Sequence, residues 1–287
     1  MSATGSGKYE HGLRGMQELA DAVWTPGSRW HPGELAWARS QHLGREPDWP
    51  TRLWRQGSTV LAWGWVDLPG TLYLQVRPGS AELVGEVLAW AESVAAEALS
   101  VLVLDRERHL VEGLRANGYV ESISDGPFFR RMVGGLAETP DVLLPKGFTI
   151  REATDLAART ELHRAAWHPS RVTLAGYTTV TRAWLYRREL DLVAHAPDGT
   201  PAAYCLGWLD SRGRVGVFEP VGTAPEFRGR GLGRAVCLAV MARMRGLGAD
   251  TVTVLPRGDA AYPVPARLYA GLGLTPIGRT VVFTRAR

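Results

Sequence analysis

Cysteine, lysine and long apolar runs are scarce in this sequence of 287 residues. Its two cysteines, Cys205 and Cys237, lie inside apolar segments and not at disulfide or metal spacing, so we expect buried, reduced thiols and no metal site. There is no apolar run long enough for a membrane span, and the first residues lack the apolar centre of a signal peptide. These absences predict a cytoplasmic protein without a membrane partner.

Lysine occurs only at Lys8 and Lys146, so the net charge of +4 comes almost wholly from arginine. The arginines are scattered among acids, whereas a nucleic-acid surface needs clustered basic residues interleaved with aromatic ones. A modest positive balance instead suits an anionic small ligand. We therefore expect a small-molecule substrate and no nucleic acid, and the sequence leaves the oligomeric state open.

An internal repeat is the clearest large-scale pattern in the chain. The segment "GWVDLPG" at 64–70 resembles "GWLDSRG" at 207–213, and "ELADAVWTP" at 18–26 resembles "ELHRAAWHP" at 161–169. Both pairs have the same separation along the chain, which favours a repeated structural unit over chance similarity. The sequence therefore predicts two similar domains.

The repeat and the Gly- and Pro-containing stretch "VGGLAETPDVLLPKG" set the expected boundaries. They are a flexible tail over 1–15, a first domain over 16–135, a linker over 136–147 and a second domain over 148–287. Strand-like and helix-like segments alternate in the second domain, which indicates an α/β or α+β fold with a mixed central sheet flanked by helices. We also expect a helix over 179–190 and a strand pair within "LTPIGRTVVFTRA" at 274–286.

A glycine-rich turn, "FRGRGLG" at 227–233, follows a predicted strand and precedes a predicted helix. Backbone amides at a helix N-terminus lack partners and attract anions, and glycine lets those amides approach a phosphate closely. The turn therefore predicts a diphosphate site. Its spacing matches neither the dinucleotide fingerprint nor the Walker motif.

The phrase "VGTAPEFRGRGLGRAVCLAVM" resembles the coenzyme A motif of GNAT acetyltransferases, Q/R-x-x-G-x-G/A, with Arg228, Gly231 and Gly233 at the motif positions. The resemblance covers about 148–284 and implies acetyl-CoA as the cofactor. It implies that loop amides bind the pyrophosphate and that the end of the preceding strand binds the pantetheine arm. The implied cofactor-binding residues are Val221, Gly222, Thr223, Arg228, Gly229, Arg230, Gly231, Leu232 and Gly233.

A second stretch, "YPVPARLYAGLGL", resembles the family signature N-x-x-A-x-x-L-Y-x-x-x-G-F. Tyr262 replaces the asparagine and Leu274 the phenylalanine, which puts some of the contacts to the cofactor in doubt. The resemblance implies that Tyr269 lies near the thioester sulfur and protonates the leaving thiolate. The alternative is an aromatic side chain that only packs its helix.

Glu219 is the candidate base, because it lies two residues before Val221 on the strand expected to meet the thioester. Its carboxylate could instead bind a cationic amine without moving a proton, or be structural. His163, His168 and His195 are weaker candidates, because they lie on or after an early helix or within a strand, where packing or solvent-facing roles are more usual.

The first domain resembles a degenerate GNAT unit. Gly79 and Gly85 do not reproduce the loop motif, although Gly118 matches Gly273 at an altered separation. Eight of the eleven tryptophans fall in this half, and we interpret them as core, with a substrate wall as the alternative. The predicted function is acetyl transfer from acetyl-CoA to a primary amine in the C-terminal domain, with a non-catalytic acyl-CoA sensor or scaffold and a protein N-acetyltransferase as alternatives.

Overall fold

A computed structural model describes residues 6–122 and 126–285. The first half contains α1 (Ser6–Val23), α2 (Pro32–Ser40), β1 (Thr51–Gln56), β2 (Thr59–Asp67), β3 (Thr71–Val76), α3 (Leu83–Val94), β4 (Ser100–Leu104), α4 (Arg108–Ala116), β5 (Tyr119–Glu121) and β6 (Arg130–Gly135). The expected tail over 1–15 is corrected, because α1 begins at Ser6; residues 1–5 lie outside the described residues.

The second half repeats most of this order, but it begins with an additional strand and ends with one strand where the first half has two. It contains β7 (Thr149–Glu152), α5 (Leu156–Ala166), α6 (Leu174–Val180), β8 (Asp191–His195), β9 (Pro201–Leu209), β10 (Val215–Thr223), α7 (Leu232–Gly246), β11 (Thr251–Val254), α8 (Val264–Ala270) and β12 (Thr275–Arg285). The α/β class with a mixed sheet is confirmed. In the part of the chain that the structure describes, no helix is both long and apolar enough to cross a membrane.

The strands of both halves form one continuous sheet in the order β1-β2-β3-β4-β12-β6-β11-β10-β9-β8-β7, and β5 also pairs with β12. The β3–β4 and β10–β11 pairs are parallel, and the other pairs are antiparallel. Each parallel pair joins the middle strands of one half, at corresponding places in the repeat. Each half therefore has the same arrangement, and the two sheets join edge to edge.

Two strands cross from one half to the other. Strand β6 belongs to the first half in sequence but pairs with β11 of the second half. Strand β12 pairs through residues 275–279 with β6 and through residues 280–284 with β4 of the first half. The expected linker over 136–147 contains no helix or strand, but this exchange carries elements across the boundary in both directions.

The C-terminal strand pair expected within 274–286 is instead the single long strand β12. Its register against β6 shifts between Pro276 and Gly278, and the strand leaves β6 after Arg279 and pairs with β4 from Thr280. A Cβ at Gly278 would lie 2.6 Å from Oδ1 of Asp105, so glycine is needed where the strand passes the end of β4.

Helix α2 of the first half packs against the second half. The ring of Trp37 lies 5.2 Å from that of His163 and 6.3 Å from that of Tyr177. The helix begins with Pro32 and a capping box, in which His31 Nδ1 accepts from the Gly33 N–H and the Glu34 carboxylate accepts from the His31 N–H. This strong N-terminal signal starts α2 at the seam between the two halves.

Candidate active site

The glycine-rich turn after β10 forms an open cradle at the start of α7. Gly229 and Gly231 have φ of 75° and 77°, a left-handed conformation that glycine adopts without strain. A Cβ at either position would have no heavy atom within 4 Å, and no side chain caps the helix at Gly231. Unpaired amides at the N-terminus of α7 are therefore accessible to an anionic group such as a diphosphate.

The other residues of the turn hold it in place. The Arg228 guanidinium donates to the carbonyls of Thr223 (3.3 Å) and Ala166 (3.0 Å), and Arg230 donates to the carbonyl of Glu226 (3.3 Å). The side chain of Leu232 is buried in the core. The side chains of Arg228, Arg230 and Leu232 therefore hold the turn in place, and its backbone at Gly229 and Gly231 borders open space.

Gly222 and Gly233 serve close packing instead of ligand access. A Cβ at Gly222 would lie 2.6 Å from Cε1 of Tyr204, and one at Gly233 would lie 3.2 Å from Oγ1 of Thr223. These two glycines let the end of β10 approach β9 and α7. Of the four glycines expected to bind the cofactor, Gly229 and Gly231 therefore border open space, whereas Gly222 and Gly233 allow close packing between elements.

Strands β10 and β11 diverge beside this cradle. They pair only from Val215 to Val217 on β10, and the register of β10 against β9 then shifts between Phe218 and Val221. The edge of β10 beyond Val217 is left without a β11 partner in the described pairing. The carbonyl of Val221 accepts a hydrogen bond from Trp167 Nε1 (3.2 Å), so one of the expected pantetheine-binding residues is already engaged there.

Glu219 lies at the register shift of β10 and is partly buried, and Val217, two residues before it, packs with Ala36 and Trp37 of α2. Its carbonyl accepts a hydrogen bond from Trp208 Nε1 at 2.7 Å. Burial, followed by the charge of Glu34, raises the pKa of the Glu219 carboxyl to about 8, against the opposite effects of Arg29 and Arg131. Its carboxyl can therefore exchange a proton near neutral pH.

Tyr269 on α8 lies on the opposite face of β10. Its ring stacks on Phe218 with centroids 6.2 Å apart and planes inclined by 22°, and Phe218 precedes Glu219 on the strand. Burial, followed by the neighbouring thiols of Cys237 and Cys205, raises the pKa of Tyr269 well above its ordinary value. Its hydroxyl therefore keeps its proton at neutral pH.

The three histidines considered from the sequence have other environments. His163 Nδ1 lies 2.7 Å from the Tyr204 hydroxyl, and burial lowers the pKa of His163 to about 3. Burial also lowers the pKa of His195, on β8. His168 is exposed after α5. Cys205 and Cys237 are buried free thiols, as expected.

Sequence reasoning missed a group of charged residues from the first half. The Glu34 carboxylate on α2 binds the Arg131 guanidinium of β6 through two contacts of 3.1 and 3.0 Å, and Arg29 approaches it at 3.9 Å. All three act electrostatically on Glu219. Pro32 followed by Glu34 could have indicated a helix start, but nothing in the sequence placed that helix against β10.

The corresponding place in the first half is closed. Strands β3 and β4 pair only from Thr71 to Tyr73, as β10 and β11 do, but Gln75 replaces the carboxylate and is 2% exposed. His109 Nε2 lies 2.9 Å from the carbonyl of Val76 at the strand end. Four of the eight first-half tryptophans, Trp30, Trp49, Trp63 and Trp65, are buried in one cluster, as the core interpretation predicts.

Comparison with known proteins gives a family match over much of the second half. The model of the acetyltransferase (GNAT) family matches residues 156–273. A mycothiol acetyltransferase of Actinosynnema mirum is 27% identical over 217 residues, which is 70% of this chain and 70% of that relative. A second, of Kineococcus radiotolerans, is 28% identical over 251 residues, which is 86% of this chain and 65% of that relative.

The fold is similar to solved structures over almost its whole length. A tandem GNAT protein from the clavulanic acid biosynthesis pathway aligns with a TM-score of 0.59 and 17% identity, covering 99% of this chain and 96% of that one. A GCN5-related N-acetyltransferase from Sphaerobacter thermophilus aligns with a TM-score of 0.60 and 21% identity, covering 96% and 92%. Residues 156–273 therefore match the acetyltransferase (GNAT) family, and the chain as a whole has a fold similar to that of a tandem GNAT protein.

Proposed function

We propose that the second half transfers acetyl from acetyl-CoA to a primary amine of a small molecule by direct attack. One observation carries this proposal: an open helix N-terminus lies beside a strand opening that has Glu219 on one face and Tyr269 on the other. A thioester held by the cradle would meet an amine arriving from the α2 face. The family match over 156–273 supports the same reaction class.

The residues of the cradle fit the donor. The amides from Arg228 to Gly233 would hold the diphosphate, and the free edge of β10 over 221–223 would hold the pantetheine arm. Acetyl-CoA, when bound, supplies an activated acetyl group as a thioester. Positioning by these groups accounts for much of the expected rate, because direct attack depends on alignment.

Glu219 and Tyr269 would manage the two protons of the reaction. The Glu219 carboxylate takes one proton from the substrate ammonium, so the amine nitrogen can bond to the acetyl carbonyl carbon. The bond from that carbon to sulfur would then break, and the Tyr269 hydroxyl would supply a proton to the departing sulfur. The nitrogen would lose its second proton as the amide forms, and that proton would replace the one that Tyr269 gave up. General acid–base catalysis of this kind contributes about 10²- to 10⁴-fold.

The names of the relatives make a mycothiol-forming amine the first acceptor to test. The partial burial of Glu219 under α2 favours a small acceptor over a protein surface, because a bulky partner would have to displace the helix. The acceptor class is therefore proposed as a small primary amine.

Calorimetric titration of acetyl-CoA into the full chain tests the donor site. We expect one site per chain in the wild type and none in Gly231→Glu, which places a carboxylate in the cradle. Gly199→Glu is the matched control, because Gly199 also has a positive φ (89°) and open space but lies in the β8–β9 turn. Absence of binding to the wild type would contradict the proposal, and two sites would show that the first half also binds.

Thiol release from acetyl-CoA in the presence of a panel of small amines and peptides tests the acceptor. Faster release with a small amine, abolished in Gly231→Glu and retained in Gly199→Glu, supports the proposed function. Faster release only with peptides would replace it with protein acetylation. Binding of acetyl-CoA without transfer to any acceptor of the panel would favour a non-catalytic acyl-CoA sensor.

A further inference from the structure

Helix α2 of the first half is attached directly to the strand that carries Glu219. Nδ1 of His31 accepts from the Gly33 N–H (3.1 Å), so Nε2 carries the proton and donates to the Val215 carbonyl on β10 (3.2 Å). Burial lowers the pKa of His31 to about 4, which keeps the ring neutral in this role. The start of α2 is therefore fixed to β10.

The same helix supports the main chain at Glu219. A Cβ at Gly33 would overlap the side chain of Trp208, so only glycine allows α2 to lie this close to that indole. Trp208 in turn donates its Nε1 hydrogen bond to the Glu219 carbonyl. Contact with α2 thus holds the indole that braces β10 at its register shift.

Glu34, the next residue of α2, has a carboxylate with four contacts. It takes two hydrogen bonds from Arg131, one from the His31 N–H (2.8 Å), and a longer contact from Arg29. Arg131 is fully buried, and its guanidinium also donates to Oγ1 of Thr253 on β11 (3.2 Å). This ion pair therefore links α2, β6 and β11 around the place where β10 and β11 diverge.

The charged groups acting on Glu219 come from the first half of the sequence. They are Glu34, Arg29 and Arg131 of the exchanged strand β6, and in the second half the charge of Glu219 acts on the hydroxyls of Tyr204 and Tyr269. The negative charge of Glu34 raises the pKa of Glu219, and the two arginines lower it. Arg131 holds Glu34 ionised, since it lowers the pKa of Glu34 against the effect of burial.

We propose that Glu34 is a positioning residue for Glu219, so that the first half takes part in the reaction by holding a fixed carboxylate beside the base of the second half. This inference rests on the proposed role of Glu219. Glu34 does not touch the acetyl group or the amine; it acts through the charge state of Glu219 and the placement of β10.

The test is a carboxyl ¹³C NMR titration of the full chain labelled at glutamate, from pH 5 to 9.5, with the Glu219 signal assigned from Glu219→Gln. We expect the midpoint of Glu219 to fall by about one pH unit or more in Glu34→Gln, because a negative charge is removed and two arginines remain. The acid limb of the transfer rate should move by the same amount, with the KM for acetyl-CoA unchanged.

Glu107→Gln is the matched control. Glu107 is also buried at the seam, but its carboxylate binds the backbone N–H groups of Arg29 and Leu104 (3.0 and 2.9 Å) and is not among the groups acting on Glu219. The midpoint of Glu219 should stay within about 0.3 of a pH unit in this variant. An equal shift in both variants would mean a general structural effect and would overturn the proposal.

A double variant covers the case in which Glu34→Gln fails to fold. Glu34→Gln with Arg131→Met leaves neither charge of this pair buried without its partner. The two removals oppose each other, so the midpoint should stay within about half a pH unit of the wild type. A rise of a full unit, as expected for loss of Arg131 alone, would show that Glu34 has no influence.

The outcomes separate this inference from the proposed function. If Glu219→Gln keeps full activity while Glu34→Gln still moves the Glu219 midpoint, the base assignment fails and the coupling stands. If Glu219→Gln is inactive but Glu34→Gln changes neither the midpoint nor the acid limb, the positioning role of Glu34 is excluded.

Discussion

Three buried or partly buried glutamates near the seam differ in proton affinity because their partners differ. Arg131 lowers the pKa of Glu34, although burial alone would raise it. Burial raises the pKa of Glu107 to about 7, against two backbone N–H donors. Burial and a neighbouring carboxylate raise the pKa of Glu219 to about 8. The residue type alone therefore does not decide which of them can accept a proton during a reaction.

The rate of acetyl transfer should follow the ionisation of Glu219. Only the carboxylate form accepts a proton, so kcat/KM should fall about tenfold per pH unit below pH 8 and level off above it. Glu219→Gln should lower the plateau by about 10² or more and remove this limb. Steady-state kinetics from pH 6 to 9 measure both. A rate independent of pH in the wild type would contradict the base assignment.

The substitution Glu219→Gln, which should lower the activity, should raise the free energy of unfolding at high pH. The pKa of Glu219 is raised above its ordinary value near 4.5, so its contribution to folding is fully present below about pH 4.5 and is lost as pH rises through 8. Glutamine does not ionise, and Glu219→Gln should gain stability relative to the wild type over this interval. Urea unfolding at pH 5 and pH 9 measures it; an equal difference at both pH values would contradict the raised pKa.

The sequence predicted the residues of the cradle because their signal is local. Gly229 and Gly231 are adjacent to the helix that uses them, and their spacing carries the information. Glu34 and Arg131 could not be predicted to lie near Glu219, since they belong to distant segments that meet only through the exchange of β6 and the packing of α2.

At the scale of elements, helix α2 of the first half packs directly against the second half. It contacts β10 and α6 of the second half and α1 of the first, although it is only nine residues long. Its close approach depends on Gly33 against Trp208. A small change at this contact should therefore alter both the rate of acetyl transfer and the free energy of unfolding of the chain.

Gly33→Ala should destabilise the protein by about 1–3 kcal/mol, because the added Cβ overlaps Trp208 in a packed interior. It should also lower the rate of acetyl transfer, since Trp208 braces Glu219. Gly12→Ala in α1 is the control: a Cβ there has no heavy atom within 4 Å, and the change should stabilise by about 0.5–1 kcal/mol. Chemical denaturation of both variants checks the signs; equal effects would exclude the contact with Trp208 as the cause.

Tertiary contacts also explain the elements that were predicted wrongly. The helix expected over 179–190 does not form. Helix α6 ends at Val180, and Leu185 has a φ of 72°, which no α-helix contains. The hydroxyls of Tyr177 and Tyr186 both bind the carboxylate of Asp191, which draws the segment between them into a compact turn. Helical spacing in the sequence does not report such a shared partner.

At the scale of the whole molecule, the continuous sheet joins two halves that differ at corresponding strand ends. One half keeps an open cradle and a carboxylate, and the other has a closed strand end at Val76. The repeat in the sequence predicted two similar halves, and their alignment with tandem GNAT structures supports it. It could not predict the exchange of β6 and β12, because either strand could pair within its own half with the same alternation of residues.

Acetyl-CoA should stabilise both halves together. Ligand at about one hundred times its dissociation constant should add about 2.7 kcal/mol to the free energy of unfolding. Tryptophan fluorescence reports mainly the first half, which has eight of the eleven tryptophans. Its urea midpoint should nevertheless rise with acetyl-CoA, and should not rise in Gly231→Glu. If acetyl-CoA binds the wild type but leaves the urea midpoint of the fluorescence unchanged, the two halves unfold independently.

The route of β12 has a consequence for synthesis on the ribosome. Phe283, on the last strand that the structure describes, is fully buried in the core of the first half, between Val101 and Glu121. During translation the first half emerges with an open slot between β4 and β5, and an unfilled strand edge is prone to pair with other chains. The first half therefore cannot fill this slot until β12 has been synthesised, and loss of β12 would leave both halves incomplete.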